Sequence, residues 1–252
     1  MKEEVTIKSA EEIVTMRKAG YIAALVLDTL KKELKPGMST YEIDQIAEKT
    51  ILDNGATPSF KGFGGFPAAT CISVNEEIVH GIPSKGRIVR EGDIVGIDVG
   101  AYYQGFHSDT AVTLAVGQIS QDKQKLLDVT KKSLIEAIKL IKPGIHLGDI
   151  QETIQKIIET EGYGVIRDLT GHGVGRQLQE PPQIPNYGKK GTGLILKEGM
   201  TIAVEPMVSI GTWQVRVKSN GWTIVTADGS PSAHFEHTIA ITKNGAQVLT
   251  KI

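Results

Sequence analysis

The chain has 252 residues, with 28 basic against 29 acidic side chains and a formal net charge of −1. That balance gives no overall pull toward nucleic acid or an anionic membrane. Its one cysteine, Cys71, excludes an internal disulfide and fits a reducing compartment, and no apolar run reaches the roughly 20 residues of a bilayer-spanning helix. A soluble, cytoplasmic α/β protein is expected, large enough for one core or two fused half-domains.

The first eight residues are charged and lack the apolar stretch of a secretory signal. Ser9 with Glu12 forms a capping box, and Ile13, Met16, Ala19, Ala23 and Leu27 then recur at helical spacing as far as about Leu34. Pro36-Gly37 ends this helix. Ser39 with Glu42 caps a second one, which runs to about Asn54-Gly55. Residues 70–74 and 93–99 are rich in β-branched side chains and predict strands. A turn at 103–106 leads into a further strand over 106–116 that carries Asp109. Helical periodicity returns over 126–141, is broken by Pro143-Gly144, and resumes over 150–158. His172 falls in a predicted loop, 171–175. Strands are expected at 201–208, 222–226 and 233–242, and the stretch 180–193, rich in Pro, Gly and Lys, reads as a simple connection.

The order helix, helix, strands therefore occurs twice, and a sequence repeat supports it. Arg90-Glu-Gly-Asp-Ile-Val-Gly-Ile-Asp98 reads again, 107 residues later, as Lys197-Glu-Gly-Met-Thr-Ile-Ala-Val-Glu205. The same offset maps Lys35-Pro-Gly-Met onto Lys142-Pro-Gly-Ile. Repeated sequence implies repeated structure: two halves, 1–118 and 119–252, related by a pseudo-two-fold axis within a single unit. Two strands ending in acids, Asp98 and Glu205, would then face each other. Asp109, His172 and Glu236 complete a set of four carboxylates and one imidazole. Such acids repel unless a cation lies between them, and four negative charges balance two divalent ions. An oxygen-rich set with one imidazole suits Mn, Fe, Co or Zn. From the residues alone the bland reading stays open, with the acids as turn or cap residues and His172 as a loop histidine.

The motifs Cys71-Ile-Ser-Val-Asn-Glu, His80-Gly-Ile-Pro, Gly92-Asp-Ile-Val-Gly-Ile-Asp98, Thr170-Gly-His-Gly-Val-Gly175, Ala203-Val-Glu205-Pro-Met and Phe235-Glu236-His-Thr-Ile together resemble type I methionine aminopeptidases of the short, bacterial kind. The resemblance covers nearly the whole chain. It implies a pita-bread fold, two pseudo-symmetric halves around a central antiparallel sheet. It also implies two divalent metal ions and removal of the initiator methionine from nascent chains with a small second residue, by an activated bridging water. Carried over, Asp98 binds one ion, His172 and Glu205 the other, and Asp109 and Glu236 bridge both. Glu205 also handles the water's proton, and His80 touches the substrate beside the scissile amide. Phe60, Phe63, Phe66, Cys71, Leu178 and Trp222 match the methionine pocket.

One position departs from the family pattern, His-Gly-x-Gly-x-x-x-His: the second histidine is Gln179. An amide still donates a hydrogen bond but cannot become cationic, so polarisation of the scissile carbonyl there should be weaker. Two other readings compete. A prolidase or aminopeptidase P would share the fold but needs a longer N-terminal domain, and a weakly catalytic binding protein would be consistent with Gln179. The partners expected are peptides and nascent chains beginning with methionine, with transient ribosome contact compatible with that substrate and no specific nucleic acid or membrane; a monomer is expected.

Overall fold

The computed structural model describes residues 4–252; the charged start of the chain, read above over 1–8, lies partly outside them. Helix α1 (Ala10–Glu33) begins on the Ser9–Glu12 capping box and α2 (Thr40–Asp53) on that of Ser39 and Glu42, each worth on the order of 1 kcal/mol to its helix. Two short strands, β1 (Thr57–Pro58) and β2 (Thr70–Val74), flank a single helical turn at Phe63–Gly65. Then come β3 (Glu77–Val79) and a ten-residue hairpin pair, β4 (Ile94–Tyr103) and β5 (Phe106–Ala115). Helices α3 (Gln121–Leu140) and α4 (Leu147–Thr160) follow. The remaining strands are β6 (Gly164–Val165), β7 (Thr170–Gly173), β8 (Glu180–Pro185), β9 (Thr201–Val204), β10 (Met207–Ser209), β11 (Val215–Val217), β12 (Ile224–Thr226), β13 (Ser232–His234), β14 (His237–Thr242) and β15 (Gly245–Val248).

All described strand pairs are antiparallel. One sheet runs β1-β4-β2 with β5 also on β4, and a five-stranded sheet runs β15-β14-β9-β7-β8. The two meet where β5 touches the segment around Glu236: the Glu236 amide donates to Ala111 O at 2.9 Å, and Thr110 Oγ1 donates to Glu236 O at 2.8 Å. Ile22, Val26 and Leu30 of α1 join Ile43 and Ile51 of α2 in one buried cluster with Ile72, Val95 and Ile97. A second cluster puts Leu126, Leu134, Ile150 and Ile154 of α3 and α4 together with Ile202, Val204 and Ile239. Each such side chain contributes about 1.5–3 kcal/mol by leaving water.

The 107-residue offset recurs in the elements. It carries α2, Thr40–Asp53, onto α4, Leu147–Thr160, and the isolated bridge Ser39↔Ile88 onto His146↔Ile195. It also carries the first residue of β4, Ile94, onto the first of β9, Thr201.

Several sequence expectations need correction. The stretch 180–193 is not wholly a connection, because its first six residues form β8, paired to β7 at the edge of the five-stranded sheet. Prolines are tolerated there because an edge strand needs hydrogen bonds on one side only. The expected strand 201–208 is broken at Glu205-Pro206, and 233–242 at Phe235-Glu236. Helix α3 starts at Gln121, earlier than its apolar pattern, because Ser120 caps a polar first turn.

Candidate metal centre

Asp98 and Asp109 stand on the hairpin β4–β5. Asp98 pairs with Ala111 and Asp109 with Gly100, so the acids are diagonal neighbours on one face of the sheet. Asp98 was expected at a strand end; it lies mid-strand. Gly100, opposite Asp109, must lack a side chain: a Cβ there would approach Ser59 Cβ to 2.7 Å and Phe60 Cε1 to 2.9 Å.

Glu205 and Glu236 occupy the two strand breaks. The pair β9–β14 ends at Val204↔His237, and the pair β10–β13 begins at Met207↔His234. The ladder is interrupted on both strands at one level, where Pro206 has no N–H to give. Released from the pleat, both glutamates turn into the same buried space.

His172 is on β7, not in a loop, with Ala203 on one side and Gln183 on the other. Its flanking glycines serve packing: a Cβ at Gly171 would come within 2.5 Å of Ala203 O, and one at Gly173 within 2.2 Å of Pro181 O. His172 Nδ1 lies 2.8 Å from Gly173 O. A carbonyl only accepts, so Nδ1 carries the proton and Nε2 offers its lone pair to the cavity.

That nitrogen is 3.7 Å from Asp109 Oδ2 and 3.7 Å from Glu205 Oε1. Ligand atoms of Asp109, His172 and Glu236 all lie within 4.8 Å of one another. Two donors each about 2.1 Å from one ion stand roughly 3–3.5 Å apart, so modest contraction would close the set. Buried Asp98 Oδ1, Asp109 Oδ1 and Glu236 Oε1 have no hydrogen-bond partner. Among the described residues no Lys or Arg pairs with any of the four acids. Burial pushes the Asp98 and Glu205 carboxyls up to about 7, and burial with mutual repulsion raises Asp109 and Glu236 well above the ordinary range. Orphaned carboxylate oxygens, the free Nε2 of His172 and the absence of a Lys or Arg fit a divalent cation site.

A pH dependence follows for the chelated protein. Between their ordinary values, near 4, and about 7, Asp98 and Glu205 keep protons when folded that they lose when unfolded. Their contribution to stability is present below about pH 4 and lost as pH rises through 7. Bound cations need the same acids deprotonated. The gain in melting temperature on adding Mn²⁺ should therefore be small at pH 5.5 and several degrees larger at pH 8, measured by circular dichroism. An equal gain at both values would show that these acids do not hold the metal.

A cavity of about 330 Å³ opens above the acids, and every side chain singled out from the sequence lines it: the five candidate ligands, His80, Gln179, Phe60, Phe63, Phe66, Cys71, Leu178 and Trp222. Phe66 meets the Trp222 ring edge-on at 5.2 Å, while Phe63, 46% exposed, stands at the mouth. Burial raises the Cys71 thiol and keeps it neutral. Gln179 reaches the cavity from an exposed position. His80 has φ +57°, a left-handed backbone that His tolerates better than most residues. It is held by Thr223 Oγ1 donating to His80 O at 3.2 Å and by Ile72 N donating to Gly81 O at 2.9 Å. A Cβ at Gly81 would strike Ile72 O. Burial lowers the His80 pKa, so the ring is neutral at pH 7.

The cavity also contains Leu169, Thr170 and Met207, and His234 stands beside the acids; none was singled out from the sequence. His234 precedes Glu236 by two, but the strand breaks between them, so the strand period gave no sound signal for it.

The profile of metallopeptidase family M24 matches residues 14–243. The chain belongs to metallopeptidase family M24. Within this family of metal-dependent hydrolases it is 50% identical over 248 residues to methionine aminopeptidase 1 of Bacillus subtilis (strain 168), covering 98% of this chain and all of that one. The crystal structure of methionine aminopeptidase from Thermotoga maritima superposes with a TM-score of 0.98 at 52% identity, covering 99% of this chain and 100% of that chain. The prolidase from Pyrococcus furiosus superposes at 0.80 with 29% identity, covering 98% of this chain but 65% of that longer one. The architecture is the pita-bread fold of these M24 enzymes. No described helix is long and apolar enough to cross a membrane.

Proposed function

We propose that the chain hydrolyses the N-terminal methionine from peptides and nascent chains with a small second residue, at a centre of two divalent cations, in the cytoplasm and as a monomer. In this reading 1–252 is one catalytic unit, with halves 1–118 and 119–252 each lending acids. The observation that carries it is the meeting, in one cavity, of five candidate cation ligands (Asp98, Asp109, His172, Glu205 and Glu236) and a wall of Phe60, Phe66, Cys71, Leu178 and Trp222. An unbranched thioether suits such a wall, since it packs closely and asks for little polar contact. Relatives of full length named methionine aminopeptidase support the same substrate.

Asp98 would hold one ion, His172 and Glu205 the other, and Asp109 and Glu236 both. Bound divalent ions supply Lewis-acid polarisation of the scissile carbonyl and acidify water. Glu205 takes up a proton from water and returns it to the leaving amine. His80 donates a hydrogen bond to the substrate beside the scissile amide. Phe63 at the mouth belongs to the methionine pocket, and Gln179 at the rim donates a hydrogen bond to the scissile carbonyl. Chelated protein resupplied with Mn, Co, Fe or Zn should release methionine from Met-Ala-Ser and hardly from Met-Leu-Ser. Failure on both peptides with every metal would overturn the assignment.

Gln179→His should raise kcat/KM on Met-Ala-Ser by on the order of tenfold, because a charge-assisted donor is stronger than a neutral amide. The gain should fade at high pH as the new imidazole loses its proton, and metal affinity should not change. Equal or lower activity would show that position 179 does not reach the scissile carbonyl.

A further inference from the structure

His234 sits on β13 with 3% exposure, and its Nε2 is buried without any hydrogen-bond partner. The backbone around it is clamped to β5: its amide donates to Thr113 Oγ1 at 2.9 Å, and that hydroxyl donates back to His234 O at 2.9 Å. The register Met207↔His234 fixes the residue from the other side. The ring is therefore aimed, and it points at the acids. His234 Nε2 is 3.5 Å from Glu205 Oε2 and 4.0 Å from Glu236 Oε2. Glu205 thus lies between two imidazoles, with Oε1 facing His172 and Oε2 facing His234. The two rings are not equivalent. His172 spends its Nδ1 proton on Gly173 O and so presents a lone pair, whereas no described contact of that kind ties the proton of His234.

We propose that His234 is a positioning residue of the metal centre, whose Nε2–H donates to Glu205 Oε2 and so directs Oε1 toward the cation shared with His172. A carboxylate left free can rotate, or take an ion through both oxygens; a donor on one oxygen commits the other to the ion. The inference rests on the metal-centre reading above.

The test is Co²⁺ binding to the chelated, full-length protein, followed by calorimetry and by the visible absorption of the bound ion. His234→Leu should weaken one of the two sites by about 10–100-fold, the usual loss when a partner of a ligand is removed, and leave the other unchanged. His234→Gln, whose amide N–H reaches a similar point, should recover affinity to within a few-fold with the wild-type absorption spectrum. His234→Asn, too short to reach, should behave like His234→Leu and serves if the latter fails to fold. Wild-type affinity in both His234→Leu and His234→Asn would overturn the proposal while leaving the metal centre intact. Loss in His234→Gln equal to that in His234→Leu, with a spectrum of changed intensity, would make His234 a ligand and also overturn it. Absence of Co²⁺ binding by the wild type would instead remove the metal-centre reading itself.

Discussion

Asp109→Asn and Glu236→Gln are each expected to lower kcat/KM on Met-Ala-Ser by a factor of about 10³ or more, some 4 kcal/mol of transition-state stabilisation, and to weaken the binding of both ions. The reason lies in the placement of the two acids. Each is buried and has one carboxylate oxygen with no partner in the protein. Asp109 stands on β5, and Glu236 in the break between β13 and β14, hydrogen-bonded to β5 through its backbone. They thus close the site where the two sheets meet. In the reading proposed here each serves both cations, so its loss cannot be confined to one. Asp98→Asn, on β4, should chiefly cost one ion. Calorimetric titration with Mn²⁺ and elemental analysis distinguish these patterns. The chelated variants should melt no lower than the chelated parent, because replacing one of several mutually repelling buried acids by its neutral amide removes repulsion. Two ions bound normally in Asp109→Asn would refute the bridging role. A large loss of stability without metal would mean that the acid holds the fold instead.

His80→Ala should lower kcat about 10²-fold, near 2.7 kcal/mol, with little change in KM and normal metal content. This pattern marks an interaction that strengthens as the scissile amide pyramidalises. The geometry favours it: His80 lines the cavity 6.4 Å, ring centre to ring centre, from Trp222, yet makes no described ion pair with the acids. Its backbone is fixed by Thr223 and by the tight packing of Gly81 on Ile72, so removing the ring should not displace the chain. A left-handed alanine costs roughly 1–2 kcal/mol of strain, which His80→Asn avoids because Asn accepts that conformation. His80→Asn should fold as the parent does and retain more activity than His80→Ala if a hydrogen-bond donor is what matters. Loss of metal or of folding in both variants would make His80 a structural residue. Since burial keeps the ring neutral at pH 7, its titration should leave kcat unchanged from pH 7 upward.

Much of the helical part of this fold was legible before any coordinates. Ser9 with Glu12 and Ser39 with Glu42 announce their helices because a cap is a local device, closed within four residues. Pro36-Gly37 ends α1 for equally local reasons. The hairpin β4–β5 was legible too, since its turn and its β-branched residues lie within one stretch of chain. The 107-residue repeat named two of the acids and anticipated the matching of α2 with α4.

The sequence by itself therefore determined the caps, the hairpin and the repeat, because these are written in residue types and short spacings, while the candidate pocket residues were named only through the motifs that resemble the family. Only the tertiary structure decided how the acids are presented. The prolines at 181, 182 and 185 look like a loop, and become a strand because β7 leaves one edge open to them. Glu205 and Glu236 each read as part of a continuous strand. They escape the pleat only because β9 and β14 break at the same level, with Pro206 unable to continue the ladder. His234 gave no motif, and its role arises from Thr113, 121 residues away, which fixes the backbone that aims its ring at Glu205. Hydrogen bonds between strands distant in sequence carry no local signature, so the meeting of two interrupted ladders, which turns separate acids into one site, could be decided only by the folded chain.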